Sequence, residues 1–148
     1  MLAVKLDLRE SDVGSVLDVL AHGRPVALAC DSSPVSHDAQ IEVQSRWELE
    51  ERLEELFPFR PHMIPVDDRK RVAVRIVLVG GPPISGEGDS LTSAIRDLLQ
   101  SALDYVDKWE RSLRFGADHQ RYWGWVYRLL LAGDNDHIVA TLLNEPLE

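Results

Sequence analysis

The chain has 148 residues, 45% of them apolar and 28% charged, which is ordinary globular composition with enough apolar material for one domain's core. Its net charge of −9 disfavours nucleic-acid binding by phosphate neutralisation. The longest apolar run, residues 26–30, falls far short of the ~20 that span a bilayer, and a single cysteine fits a reducing cytoplasm without an internal disulfide.

Residues 2–8 alternate, with Leu2, Val4, Leu6 and Leu8 on one side and Ala3, Lys5 and Asp7 on the other, predicting a half-buried strand. Lys5 and Asp7 also interrupt any signal-peptide core. Ser11 or Asp12 caps a helix with apolar positions Val13, Val16, Leu17 and Leu20, which Gly23 ends and Pro25 keeps from returning. Residues 26–30 predict a short strand stopped by Asp31-Ser32-Ser33-Pro34, and 40–44 predict another.

Residues 46–57 predict a second helix, with Leu49, Leu53 and Leu56 at i, i+4 and i+7 and Pro58 closing it. Three prolines within 58–65 predict an extended loop. Residues 71–79 are rich in β-branched side chains, with Arg75 the only interior charge, and predict a strand near the centre of a sheet. Four glycines and two prolines in 80–88 predict a connection between two halves or a functional loop.

After this loop the periodicity becomes helical. Asp89 or Ser90 caps a long helix ending near Gly116, with its stripe at Leu91, Ile95, Leu98, Leu99, Ala102, Tyr105, Val106, Trp109 and Leu113. A helix capped by Asp118 and ending at Gly133 is apolar almost all round, and a short helix covers 136–144. The order predicts an α+β fold. A small mixed sheet of three or four strands with two helices fills 1–79, 80–88 connects, and 89–148 forms a C-terminal three-helix part of the same domain.

Most catalytic signatures are incomplete. Gly81 and Gly86 keep the glycine gap of a phosphate-binding loop, but Glu87 stands where its lysine belongs, and Pro82 and Pro83 remove two donors. Ser85 lacks the flanking glycines of a nucleophile elbow. Cys30 is followed by Asp31, which opposes thiolate formation, so a buried, inert thiol is expected even with His37 nearby. The five histidines show no metal-ligand spacing. Asp134-Asn135-Asp136 fails as a calcium loop because Val139 replaces its required glycine, and it predicts a helix cap instead.

Asp31 is the remaining catalytic candidate, as a metal ligand at a strand end. Asp31-Ser32-Ser33 resembles the strand-end Asp-Ser/Thr of PIN-class metal-dependent ribonucleases. Those follow it with an apolar helix, whereas Pro34, Ser36, His37 and Asp38 follow here. The resemblance implies the alternative reading, a metal-dependent phosphoester hydrolase.

Two surface features point instead to protein binding, with no cofactor or metal. Glu50, Glu51, Glu54 and Glu55 cover one side of the 46–57 helix, a field suited to a basic protein partner. Trp123, Trp125 and Tyr127 span more than half of another helix's circumference, so one packing contact leaves aromatic surface for a partner or a homodimer through the helical half. The leading expectation is a non-catalytic binding module: an inhibitor, an immunity- or antitoxin-like protein, or an adaptor.

Overall fold

The computed structural model describes residues 4–7, 13–29, 41–68 and 71–144. Strand β1 (Val4–Asp7) is followed by helix α1 (Val13–Ala21) and the strand β2 (Val26–Ala29), which lies parallel to β1. Helix α1 ends where Gly23 takes φ +76°, a left-handed conformation open to a residue without Cβ. Strand β3 (Ile41–Val43) pairs antiparallel with β2, making β2 the middle of a mixed three-stranded sheet. Val16 and Leu20 of α1, Val26 of β2 and Val43 of β3 are buried in the core. Helix α2 (Arg46–Leu56) follows.

A second three-stranded sheet holds β4 (Pro61–Asp68), β5 (Arg71–Leu78) and β6 (Ser85–Gly88), antiparallel throughout with β5 in the middle. The α+β class expected from the sequence is what the chain forms, but its strands divide between two sheets. Two segments expected to be irregular account for the second sheet.

The first is β4, where prolines suggested a loop. Val79 N–H donates to Arg60 O at 3.0 Å, and hydrogen-bonded pairs alternate along an antiparallel ladder. Positions 62, 64 and 66 therefore bond to β5, while 61, 63 and 65 turn their backbone groups outward. Pro61 and Pro65 thus occupy positions where β5 requires no N–H, and proline at an outer strand costs the ladder nothing. They also remove donors from the open edge, which blunts it against pairing with another chain.

The second is β6, read from sequence as part of a glycine-rich connection. Only 80–84 turn; 85–88 pair with β5. Helix α3 (Leu91–Arg111) lies directly on this strand. A Cβ on Gly86 would sit 2.4 Å from Ala94 O and Leu98 N, and one on Gly88 would sit 2.6 Å from Ala94 N. The glycines are required by backbone-to-backbone contact of strand and helix. Ser90 caps α3, exchanging hydrogen bonds with Ser93 in a capping box. Its buried line is Ala94, Leu98, Ala102, Tyr105 and Trp109, whereas Leu91 is exposed. The helix therefore turns its small residue, not Leu91, towards the glycine strand.

The helix expected from 118 to 133 is divided. A 3₁₀ turn (Leu113–Phe115) and a short helix α4 (Ala117–Gln120) precede α5 (Trp123–Ala132). The break has a cause at His119, whose carbonyl accepts from the Trp109 indole at 3.0 Å and from Tyr122 N–H at 3.1 Å. Its ring Nδ1 meets Tyr105 Oη at 2.9 Å. These bonds from α3 hold the chain in a turn. Helix α6 (Asn135–Leu142) closes the described chain, capped by Asp134 as its sequence predicts. Ile138 and Leu142 of α6 join α3, α5 and Leu49, Leu53 and Phe59 in one apolar cluster.

Gly86→Ala should destabilise the protein by roughly 2–3 kcal/mol, because overpacking a fixed backbone contact has costs of that order. Urea unfolding at pH 7 measures it; a change below ~0.5 kcal/mol would mean that α3 does not rest on β6.

Candidate interaction face

Ser45 starts α2 by accepting the Glu48 N–H at 3.1 Å on its side-chain oxygen. Leu49 and Leu53 are fully buried and set the helix's inward face. Leu56, expected beside them, is 44% exposed, because the helix ends there and Phe57 and Phe59 take over the inward contact.

Phe57 enters a notch on α5. A Cβ on Gly124 would lie 2.0 Å from the Phe57 ring, so only glycine leaves room. The ring meets Trp123 edge-on at 4.8 Å and Trp125 at 5.0 Å. Trp125 Nε1 donates to Pro58 O at 3.0 Å, and Arg128 donates to Phe57 O at 2.9 Å with its guanidinium 5.0 Å from the Phe59 ring centre. Burial pulls the Arg128 guanidinium below its ordinary pKa, and the nearby Glu54 charge opposes that shift. At the other end Arg46 of α2 donates to Leu131 O at 3.2 Å.

This packing changes the expectation for the aromatic helix. Trp123 is 4% exposed and Tyr127 is fully buried, while Trp125 is half-buried with its N–H satisfied inside the chain. The contacts that cover them come from the chain itself. Periodicity alone hid this, because Phe57 arrives from the end of a different helix.

Glu50, Glu51, Glu54 and Glu55 are all exposed on α2, opposite Leu49 and Leu53. Glu50 pairs with Arg46 at 3.3 Å and Glu55 with Arg52 at 3.4 Å, one helical turn away in each case. Glu50 and Glu54 also border a cleft of about 380 Å³ between α2, α5 and α6, completed by Arg46, Arg128, His137 and Thr141 among others. Its walls carry both signs of charge.

One further residue on this face belongs to no motif in the sequence. Trp47 is 71% exposed, and at 100° per residue it lies within the arc occupied by Glu50, Glu51 and Glu54. Its neighbours in sequence gave a signal: one large apolar residue breaks an otherwise charged helix face.

Asp31, Cys30 and His37 lie outside the described residues. Among the described residues, no three His, Cys, Asp or Glu side chains converge as a metal site, and no helix is long and apolar enough to cross a membrane.

No family model matches this chain, and no curated protein matches it. A solved structure from Syntrophomonas wolfei subsp. wolfei, described as the antitoxin part of a proposed toxin/antitoxin system, is similar in fold. The TM-score is 0.57, with 12% identity over 95% of this chain and 96% of that one. At that identity the likeness concerns the fold.

Two measurements check this geometry. A polar quencher should reach one of the four tryptophans in the native protein, and Trp47→Phe should remove that accessible fraction; an unchanged fraction would place the exposed indole in the helical half. At α6, Asp134 accepts from His137 N–H at 2.9 Å and meets its ring Nδ1 at 2.7 Å. The backbone bond first, then the side-chain bond, lowers the Asp134 carboxyl below its usual range. A carboxylate lowered on folding adds stability above its unfolded pKa of ~3.9 and loses it as pH falls through the lower folded value. The stability gap between wild type and Asp134→Ala should therefore persist at about pH 5 and close below about pH 4, read by urea midpoints.

Proposed function

We propose that this protein is a non-catalytic binding module of the inhibitor or antitoxin kind, which engages a basic protein through the outer face of α2. The observation that carries the reading is the placement of Glu50, Glu51, Glu54 and Glu55 together on the solvent side of a helix anchored by Leu49 and Leu53. Such a face attracts a cationic partner at long range and excludes anionic ones. The fold likeness to an antitoxin supports the class. It adds nothing about the partner. The reading places the protein in the cytoplasm and assigns binding to α2, since Trp123 and Tyr127 are occupied within the fold.

The test compares wild type with the variant carrying Gln at 50, 51, 54 and 55 as bait in the native host. The variant should fold, with stability within ~1–2 kcal/mol of wild type, because exposed ion pairs contribute little. Wild type should retain a stoichiometric basic protein that the variant loses, and the complex should weaken as salt rises. Equal recovery by both baits would refute the role of the acidic face.

A further inference from the structure

The charge on α2 is unevenly spent. Glu50 is paired with Arg46 and Glu55 with Arg52, whereas Glu48, Glu51 and Glu54 make no ion pair among the described residues. Among the described residues Glu51 has no cation partner, although it is exposed on the same face. It stands one turn after Trp47, at i+4, where side chains are neighbours with Cβ atoms ~5–6 Å apart. Trp47 itself is 71% exposed, while Trp109 and Trp123 are buried and Trp125 is half-buried against its own chain. The most exposed indole thus has a carboxylate without an ion pair one turn along the same face.

Resting on the acidic-face reading, we propose that Trp47 and Glu51 form the anchor of that face and receive an arginine side chain of the basic protein partner. A guanidinium is planar and weakly hydrated, so it stacks on an indole while its N–H fork bonds a carboxylate beside the ring. An ammonium fits this pair less well, because it offers a point charge and no plane to stack. The compensated residues around the pair, Glu50 with Arg46 and Glu55 with Arg52, form a rim that orients the partner and adds little affinity of its own. Tryptophan at the centre and charge at the edge is the usual division of labour in an interface.

The experiment uses the full chain and three capped octapeptides, in which glycine alternates with arginine, lysine or citrulline. Titration followed by the Trp47 indole N–H resonance gives each affinity. The arginine peptide should bind at least threefold more tightly than the lysine peptide, and the citrulline peptide should leave the resonance in place. Trp47→Ala, followed by calorimetry, should weaken arginine-peptide binding at least fivefold. Glu51→Gln should weaken it at least threefold, and Glu50→Gln less than twofold. Trp47 and Glu51 are exposed, so unchanged thermal midpoints should accompany these losses. Unaltered binding by Trp47→Ala, or equal losses from Glu50→Gln and Glu51→Gln, would overturn the anchor. If Trp47→Ala also keeps the basic protein recovered from the host while the four-glutamine variant loses it, the anchor falls and the acidic-face reading stands. If the four-glutamine variant keeps that protein as well, both fall.

Discussion

The seating of Phe57 against Gly124 is the contact on which the arrangement of the helices depends. It places the end of α2 at the start of α5, and Arg46 at the start of α2 reaches Leu131 O near the end of α5. The two helices therefore run antiparallel. Each sends a guanidinium to carbonyls at the other's C-terminal end, Arg128 to Phe57 O and Arg46 to Leu131 O. Those carbonyls lack partners within their own helices and carry the negative end of the helix dipole, so a cation there is favourable twice over. With both ends tied, the rotation of α2 is set. Leu49 and Leu53 must point inward, and the glutamates with Trp47 must point out.

The same device, a missing Cβ at a close approach, recurs where α3 meets β6. Gly86 and Gly88 allow the helix backbone to rest on the strand, and the Glu87 N–H is held by the Asp97 carboxylate at 2.9 Å. Sheet and helical part are joined there by direct backbone contact. The short segment before β6 is consequently a turn within the fold, with Gly80 at φ +78°. Gly81 lies 3.4 Å from the Trp125 indole, measured from where its Cβ would be. The aromatic helix, the second sheet and α2 thus converge around Trp125, which touches Phe57 and bonds Pro58.

This convergence explains why Trp123 and Tyr127 are covered within the chain while Trp47 is left exposed. Trp123 meets Phe57 and Tyr127 within the chain, and Trp109 donates to His119 O. Trp47 stands on the face turned away from those contacts. Its exposure follows from the rotation of α2, not from any property of the tryptophan itself.

Periodicity by itself determined the central strand β5, the inward residues Leu49 and Leu53, the solvent position of the four glutamates, and the cap at Asp134. In each case the controlling forces act within one element, between a backbone repeat and the side chains it carries. Proline and glycine were read less well. Pro61 and Pro65 looked like strand breakers, yet their missing donors face an open edge; Gly86 and Gly88 looked like a flexible link, yet a helix lies on them. Only the tertiary structure decided these, because the meaning of an absent N–H or an absent Cβ depends on what lies across from it. The burial of Trp123 and Tyr127 and the exposure of Trp47 were decided in the same way. Hydrophobicity states that a ring gains by being covered, and only the packing of distant elements determines which rings find cover.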